Sequence, residues 1–414
     1  MRRLINAVND TVVRSGLPVV LVLALLLRLG TVVVFYWDYA PAGDAKHYHQ
    51  TAIHILEGKG PMVRENLMMH RLPVTGYFFA SMYAVFGVSP LAVQLAHVVL
   101  GTLTVGLVYD LVRRAFGTPE AAWGGLLAAV YPMFLMYTGT LLSEVLSVFF
   151  CGLGLWLAWW MRGRAPGWFV LLGAVLGLGI LTRAHLLPVA GLIGVWILLN
   201  RQVHPSFGRR LAYAAATAVT VVLVMTPWIV RNYTISGAFV PLTSQGGYAL
   251  WQANNPEADG SGFAQGQGYR IESPEMTRLS EVEQSAAYAK MAKEAIAEDP
   301  GRYLWLAVKR LRWFWHLGYH GQGLRELFFL LSYLPVLGLA LVGGRLAWRR
   351  RRAFLWLLLS TPVGLSVVSA VYIPVGRYRL PAELMLCMLG GVGLVWLLAR
   401  YAGKTGSVEA GSEE

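Results

Sequence analysis

Long apolar runs alternate with short polar stretches along most of the chain. A membrane-spanning helix needs about 20 mostly apolar residues, and the pattern contains ten segments of that kind. They are residues 17–36, 89–112, 119–137, 142–161, 167–183, 185–200, 211–229, 325–344, 354–373 and 381–399. The sequence therefore predicts an all-α polytopic membrane protein, built as a bundle of about ten transmembrane helices.

Two polar stretches between these segments are too long to be simple connections: the first long segment, residues 37–88, and the second long segment, residues 230–324. Within the first, apolar residues recur at helical spacing over 73–86 and predict a helix in the membrane interface. The second begins polar and rich in glycine. It then predicts a helix over 273–298 and an amphipathic stretch over 303–314 at the membrane surface.

The same pattern predicts how the chain is divided. The four predicted parts are an N-terminal transmembrane part over 1–229 that includes the first long segment, the second long segment over 230–324, C-terminal transmembrane helices over 325–400, and a polar tail over 401–414. No internal repeat is visible, and the only region of low complexity is the polar tail over 402–414.

Composition supports a membrane protein. Of the 414 residues, 56% are hydrophobic and 14% are charged, whereas soluble domains have roughly 45–50% apolar and about 25% charged residues. Mean hydropathy is +0.52. These values exclude an intrinsically disordered chain. The two cysteines, Cys151 and Cys387, lie in apolar runs, so we interpret them as small buried hydrophobic residues.

The net charge of +13 lies mainly in six clusters of Lys and Arg in short gaps between apolar segments. Because spans separate the clusters, no single nucleic-acid-binding patch is expected. Short loops rich in Lys and Arg stay on the cytoplasmic side. If successive predicted spans cross the membrane in opposite directions, all six clusters lie on the same side of it. We therefore predict a multi-pass protein of the cell inner membrane with both termini cytoplasmic and both long segments extracytoplasmic. The clusters are Arg2, Arg3 and Arg14; Arg113 and Arg114; Arg162 and Arg164; Arg201, Arg209 and Arg210; Arg345 with Arg349, Arg350, Arg351 and Arg352; and Arg400 with Lys404.

Ionisable residues within or beside the spans are few, and each is unfavourable there unless paired or hydrated. Arg28 lies inside the first span, whereas the others lie near the predicted outer ends of spans. This one-sided distribution predicts a functional site at the outer face. The others are Asp44, His70, Arg71, Glu144, Arg183, His185, Arg231, Arg377, Arg379 and Glu383.

Two carboxylates in this set are candidate catalytic residues, and each has a structural alternative. Asp44 shares one face with His47 and Tyr48 if its segment is helical, but it is also a residue type that caps helices. Glu144 opens the fourth span, where a carboxylate is favoured by the helix dipole.

The arginines are candidate ligands of an anion. Arg183 with His185, and Arg377 with Arg379, lie on the side where short loops carry few positive charges, and a guanidinium suits phosphate oxygens. Alternatively, one arginine of the second pair snorkels or pairs with Glu383. Nucleotide-binding loops and paired CxxC motifs are absent, and zinc is disfavoured since His47 and His49 have no second ligand pair. No cofactor is indicated, although a divalent metal stays open.

In their order along the chain, these features resemble the GT-C glycosyltransferases, in particular the bacterial protein O-mannosyltransferase and lipid A aminoarabinose transferase group, glycosyltransferase family 39. The resemblance covers about residues 17–400. The matching features are Arg28 in the first span, Asp44 with Tyr48, Phe86-Gly87, Ser143-Glu144, Leu181-Thr182-Arg183, Pro227-Trp228-Ile229-Val230-Arg231-Asn232-Tyr233 and Arg377-Tyr378-Arg379-Leu380-Pro381.

The resemblance implies a GT-C-like bundle that transfers a sugar, usually with inversion, from a polyprenyl-phosphate donor to a glycan, lipid or protein acceptor at the extracytoplasmic face. Asp44 would be the general base, and Glu144 would orient an arginine or the acceptor. Arginines would stabilise the leaving phosphate. Candidate substrate- and phosphate-binding residues are Arg28, Tyr48, His70, Arg71, Arg183, His185, Arg231, Arg377 and Arg379.

Some residues depart from the family pattern. Many members have Asp-Glu where this chain has Asp44-Ala45, and the aminoarabinose transferases have Glu-Lys-Pro-Pro where it has His70-Arg71-Leu72-Pro73. A separate C-terminal soluble domain, present in some relatives, is not expected. A lipid A acceptor is therefore not implied. Two alternatives remain: a transporter or flippase component, which typically shows inverted repeats, and a non-catalytic scaffold with the same fold.

Overall fold

The computed structural model describes residues 2–261, 274–316 and 324–401, and throughout these ranges the regular elements are helices. The first nine are α1 (Arg2–Phe35), α2 (Asp44–Leu56), α3 (Pro73–Phe86), α4 (Pro90–Ala115), α5 (Thr118–Val130), α6 (Pro132–Thr138), α7 (Glu144–Trp160), α8 (Gly167–Thr182) and α9 (Leu187–Leu199). They continue with α10 (Phe207–Ser236), α11 (Gly246–Asn254), α12 (Pro274–Arg278), α13 (Glu281–Glu298), α14 (Pro300–Phe314), α15 (Leu324–Arg350), α16 (Arg352–Val371) and α17 (Leu380–Tyr401).

Each predicted apolar segment coincides with an apolar helix or helix pair, and the all-α, multi-pass prediction is confirmed. Among the described residues, six helices are long and apolar enough to cross a membrane by themselves. They belong to α1, α4, α10, α15, α16 and α17. The predicted number of ten spans is not confirmed, and the four-part division of the chain stays a prediction.

The predicted single span over 119–137 is wrong in detail, because the structure divides it into α5 and α6, which meet at a bend of 50°. Proline lacks a backbone N–H and disfavours a helical residue before it. Pro132 begins α6, and Tyr131 before it is extended. Three other predicted spans, α7, α8 and α9, are shorter apolar helices of 13 to 17 residues.

Helix α17 lies at the centre of the bundle, and its first half, from Leu380 to Gly393, is buried. Glycines let it approach its neighbours backbone to backbone, as in many membrane helix pairs. A Cβ on Gly391 would lie 2.4 Å from the amide nitrogen of Gly124 in α5, and a Cβ on Gly343 in α15 would lie 1.9 Å from the carbonyl oxygen of Leu389. These close contacts hold α17 in place, and with it the turn over Gly376–Arg379 that contains Arg377.

The first long segment folds into α2 and α3, which pack on each other through Tyr48, Phe79 and Tyr83. The predicted helix over 73–86 is therefore confirmed. Its position in a membrane interface stays a prediction. The segment contributes Asp44 and Arg71 to the site described below.

The second long segment contains α11 to α14. The single helix predicted over 273–298 is wrong in detail, because the chain is divided after Arg278 into α12 and α13. Ser280 and Glu283 form a reciprocal capping box that starts α13, which ends at Glu298 as predicted. Ser273, the predicted start signal, lies outside the described residues. The predicted amphipathic stretch over 303–314 is the helix α14.

Candidate functional site

Asp44 is the first residue of α2, and its carboxylate joins two arginines. Oδ1 accepts a hydrogen bond from Nη2 of Arg71, and Oδ2 accepts one from Nη2 of Arg377. The N-cap position of α2 is occupied by Gly43, whose φ of 53° is readily adopted by glycine, and Asp44 is the first residue inside the helix. The alternative that Asp44 caps the helix is therefore wrong.

The two arginines come from distant parts of the chain. Arg71 lies just before α3, and Arg377 lies in a 3₁₀ turn over Gly376–Arg379 that leads into α17. The Arg71 guanidinium also lies 3.3 Å from Nδ1 of His47 and 5.3 Å from the ring centre of Tyr48. Asp44, His47 and Tyr48 thus share one face of α2, as predicted, and all three lie next to Arg71.

Glu144 is the first residue of α7, and it also contacts two arginines. Its Oε1 accepts a hydrogen bond of 2.6 Å from Nη2 of Arg183 and lies 3.3 Å from Nε of Arg377. The Glu144 side chain is only 3% exposed. A buried carboxylate needs such partners, because an unpaired buried charge is strongly destabilising.

Two residues of the site were missed by sequence reasoning as site residues. Ser143 accepts a hydrogen bond of 2.6 Å from Nε of Arg183, and its hydroxyl lies 3.2 Å from that of Tyr48. The ring of Tyr378 lies 4.6 Å from the guanidinium carbon of Arg183. The available signals were a serine directly before a helix that begins with glutamate, and a tyrosine between two candidate arginines.

We call Asp44, Arg71, Glu144, Arg183 and Arg377 the arginine network. It contains three guanidiniums and two carboxylates, and therefore one excess positive charge. Its Glu144–Arg183 pair is buried, whereas the side chain of Asp44 is 30% exposed. An anion can therefore approach these arginines from the exposed side, while the buried Glu144–Arg183 pair holds the network in place.

Burial and the charges of the network together set the protonation of Asp44 and of His47 beside it. Burial raises the pKa of the Asp44 carboxyl, but Arg71 and Arg377 outweigh it and hold that pKa well below its usual range. Burial and the nearby Arg71 lower the pKa of His47. At neutral pH, Asp44 is therefore ionised and His47 is uncharged, and the paired Asp44 is a weak base.

Arg379 lies outside the arginine network although it is two residues from Arg377. Its Nε donates to Oε1 of Glu383 at 2.7 Å, and Nη1 donates to the carbonyl oxygens of His316 at 2.8 Å and Phe314 at 3.2 Å. The alternative that one arginine of the pair contacts Glu383 is confirmed. The role of Arg379 as a phosphate ligand stays a prediction.

Arg28 is fully buried within the bundle. Its Nη1 donates to the carbonyl oxygens of Ala24 at 3.1 Å and Ala129 at 3.4 Å. Arg28 and Glu144 line the same cavity of about 20 Å³, which is enough for about one water molecule. Arg28 therefore lies behind the network, on the side of the buried glutamate.

Arg231 contacts the first long segment and not the network carboxylates. Its guanidinium donates to the carbonyl oxygens of Met68 at 3.2 Å and Pro61 at 3.4 Å, and it lies over the ring of Trp228 at 4.7 Å. Arg231 therefore connects α10 to the part of the first long segment that lies shortly before Arg71 in the sequence.

The two candidate histidines occupy different places. The ring of His70 lies 5.9 Å from that of His47, and its Nε2 contacts the amide group of Gln245 in the second long segment. His185 is buried, with Nε2 at 3.4 Å from the hydroxyl of Ser147 and its ring 5.2 Å from that of Tyr378. Both histidines lie beside the network, His70 near His47 and His185 near Tyr378.

The groups around the site differ from those of a typical cation site. Within the described ranges, no group of three His, Cys, Asp or Glu side chains could hold a metal ion. Both Asp44 oxygens accept hydrogen bonds from arginines, and this charge environment suits an anion better than a cation.

Comparisons of sequence relate part of the chain to known transferases. Residues 70–242, less than half of the chain, match the model of the dolichyl-phosphate-mannose-protein mannosyltransferase family. This range includes Arg71, Glu144 and Arg183 but neither Asp44 nor Arg377. A stretch of 165 residues is 32% identical to an undecaprenyl phosphate-alpha-4-amino-4-deoxy-L-arabinose arabinosyl transferase of Pseudomonas aeruginosa (strain UCBPP-PA14). The match covers 38% of this chain and 29% of that relative, so the chain spans under a third of the relatives it matches.

Comparison of structure establishes the fold. The archaeal oligosaccharyltransferase AglB from Archaeoglobus fulgidus, in complex with an inhibitory peptide and a dolichol-phosphate, superposes with a TM-score of 0.60 at 14% identity. The match covers 96% of this chain and 52% of the archaeal chain. The apo form of an oligosaccharyltransferase from the same organism gives 0.58. The protein is a multi-pass membrane protein with the GT-C-type fold predicted from its sequence.

Proposed function

We propose that the protein is a membrane glycosyltransferase that moves a sugar from a polyprenyl-phosphate donor to a hydroxyl of a glycan, lipid or protein acceptor. The observation that carries this proposal is the arginine network. In it a partly exposed carboxylate lies between two arginines, with one excess positive charge, beside apolar helices. The matches to transferases that use lipid-linked sugars support it.

The donor phosphate would bind Arg71 and Arg377, the more exposed arginines of the network. Guanidiniums bind phosphate oxygens through paired hydrogen bonds. In the transition state the leaving phosphate gains negative charge, which fixed cations stabilise strongly in a site of low dielectric. Arg183, held by Glu144 and Ser143, would keep Glu144 in place beside Arg377.

The reaction assigned to Asp44 is proton removal. The acceptor oxygen would form a bond to the anomeric carbon while the bond between that carbon and the phosphate oxygen breaks. The hydroxyl proton would pass to the Asp44 carboxylate, and the polyprenyl phosphate would leave with the bonding electrons. Attack opposite the leaving group inverts the anomeric centre.

We assign this site to the extracytoplasmic face of the inner membrane, with both chain termini cytoplasmic. The support is the positive-inside tendency of the six basic clusters. Donor and acceptor would then meet between the first and second long segments.

Replacing the two neighbouring arginines separately tests the proposal. Arg377→Lys keeps the charge but loses the planar guanidinium. We expect it to weaken binding of undecaprenyl phosphate in lipid nanodiscs by about tenfold, the effect of losing a good hydrogen bond to a charged group.

Arg379→Lys is the matched control. It makes the same chemical change two residues away, where Glu383 and two backbone carbonyl groups occupy the guanidinium. Because of these contacts we propose that Arg379, unlike the expectation from sequence, does not bind the phosphate, and we expect the variant's affinity to stay close to that of the wild type once folding is verified. Equal affinity of wild type and Arg377→Lys would contradict the proposed phosphate site.

A further inference from the structure

The arginines that would bind the donor phosphate already hold an anion. Each oxygen of the Asp44 carboxylate accepts a hydrogen bond from a different arginine, Oδ1 from Arg71 and Oδ2 from Arg377. A phosphate that approaches these arginines from the exposed side meets the Asp44 carboxylate in the same place. The two anions therefore compete for the same donors.

The second carboxylate of the network is held differently. Glu144 is 3% exposed, and its partner Arg183 also donates to Ser143. Asp44 is 30% exposed and lies at the start of α2, in a segment joined to the bundle by loops. Of the two carboxylates, Asp44 is the one that an incoming anion can displace without opening the buried core.

We infer that Asp44 is a built-in competitor of the donor phosphate, which displaces it from Arg71 and Arg377 and thereby frees it to act as the base. This inference rests on the proposed function and adds an order of events to it. Before the donor binds, the carboxylate occupies the arginines. After the donor binds, the phosphate occupies them and the carboxylate faces the acceptor.

The exchange resolves a conflict between the position of Asp44 and its basicity. A carboxylate between two arginines has a lowered pKa and accepts a proton poorly. Once the phosphate neutralises those arginines, the pKa rises towards that of an ordinary aspartate, about 3.9. The carboxylate stays ionised at neutral pH but becomes a stronger base. The base is therefore active only when the donor is bound.

The same exchange favours product release. After transfer, Asp44 carries the proton taken from the acceptor, and polyprenyl phosphate remains on the arginines. Loss of that proton to water restores the carboxylate, which again competes for Arg71 and Arg377 and displaces the product.

Binding of undecaprenyl phosphate to Asp44→Asn tests the exchange. An amide is uncharged and competes weakly for guanidiniums, so this variant should bind the probe about tenfold more tightly than the wild type, while its transfer activity falls. Asp38→Asn is the matched control, since Asp38 is exposed six residues earlier and its replacement changes the net charge equally. We expect its affinity to equal that of the wild type.

Three results would overturn the exchange: affinity of Asp44→Asn equal to or below that of the wild type, equal tightening in Asp38→Asn, or no wild-type binding. The last would also overturn the proposed function, whereas the first two would leave it standing if Arg377→Lys weakens binding. If Asp44→Asn does not fold, Asp44→Ser removes the same carboxylate and should tighten binding in the same direction.

Discussion

Arg377 and Arg379 are separated by one tyrosine, yet they have different partners. Arg377 contacts Asp44 and Glu144, and Arg379 contacts Glu383 and backbone carbonyl groups near the end of α14. In a 3₁₀ turn, residues two apart do not share a face. At the residue scale, local backbone geometry thus directs the two arginines to different partners.

The buried pair of Glu144 and Arg183 leads to a prediction on stability. Arg183→Met removes the closest partner of a glutamate that is 3% exposed, and we expect it to lower the free energy of unfolding by about 3 kcal/mol. The double variant Glu144→Leu/Arg183→Met should recover part of this loss, because no buried charge is left with a missing partner.

Thermal unfolding of Glu144→Leu, Arg183→Met and the double variant in detergent measures this coupling. Losses that simply add would show that the two side chains do not stabilise each other.

The sequence identified all five residues of the network but not which of them contact each other. Asp44, Arg71, Glu144, Arg183 and Arg377 were all candidates, because ionisable groups near membrane spans are rare. Their pairing depends on contacts such as that of Asp44 with Arg377, which are 333 residues apart. Periodicity describes one element at a time, so it gives no information on which ends of separate helices meet.

At the element scale, hydropathy located the apolar helices but not their breaks. The bend between α5 and α6 comes at Pro132, inside a segment that is apolar throughout. A proline within a membrane helix can either kink it or divide it, and neighbouring helices decide which occurs. The central position of α17 likewise follows from its glycine contacts, and these depend on neighbours distant in sequence.

Those contacts predict that Gly391→Ala disturbs both packing and the site. Its Cβ would lie 2.4 Å from the amide nitrogen of Gly124, so α17 must move away from α5. We expect a loss of about 1–3 kcal/mol in stability and weaker binding of undecaprenyl phosphate, because Arg377 lies in the turn that leads into this helix.

Gly338→Ala in α15 is the control, since a Cβ there would have no neighbour within 4 Å. It should leave stability unchanged or slightly higher, given the better helix propensity of alanine. Thermal unfolding and probe binding of both variants check the prediction. Equal stability of the two variants would contradict the close approach of α17 and α5.

At the scale of the whole molecule, the basic clusters and the arginine network lie at opposite ends of the same helices. Helix α8 follows Arg162 and Arg164 and ends just before Arg183. Helix α16 begins at Arg352, within a basic cluster, and ends at Val371, shortly before Arg377. If these clusters are cytoplasmic, each helix carries the chain from the cytoplasmic side towards the network.

This arrangement predicts the orientation of the protein in the membrane. Reporter fusions after residues 115, 206 and 350 should report the cytoplasm, because these positions adjoin basic clusters. A fusion after residue 260, in the second long segment, should report the opposite side. Alkaline phosphatase, which is active only outside the cytoplasm, and a fluorescent protein that matures inside it provide the two readouts. A cytoplasmic signal at residue 260 would place the arginine network on the side away from the proposed extracytoplasmic acceptor, and would contradict the orientation without altering the network itself.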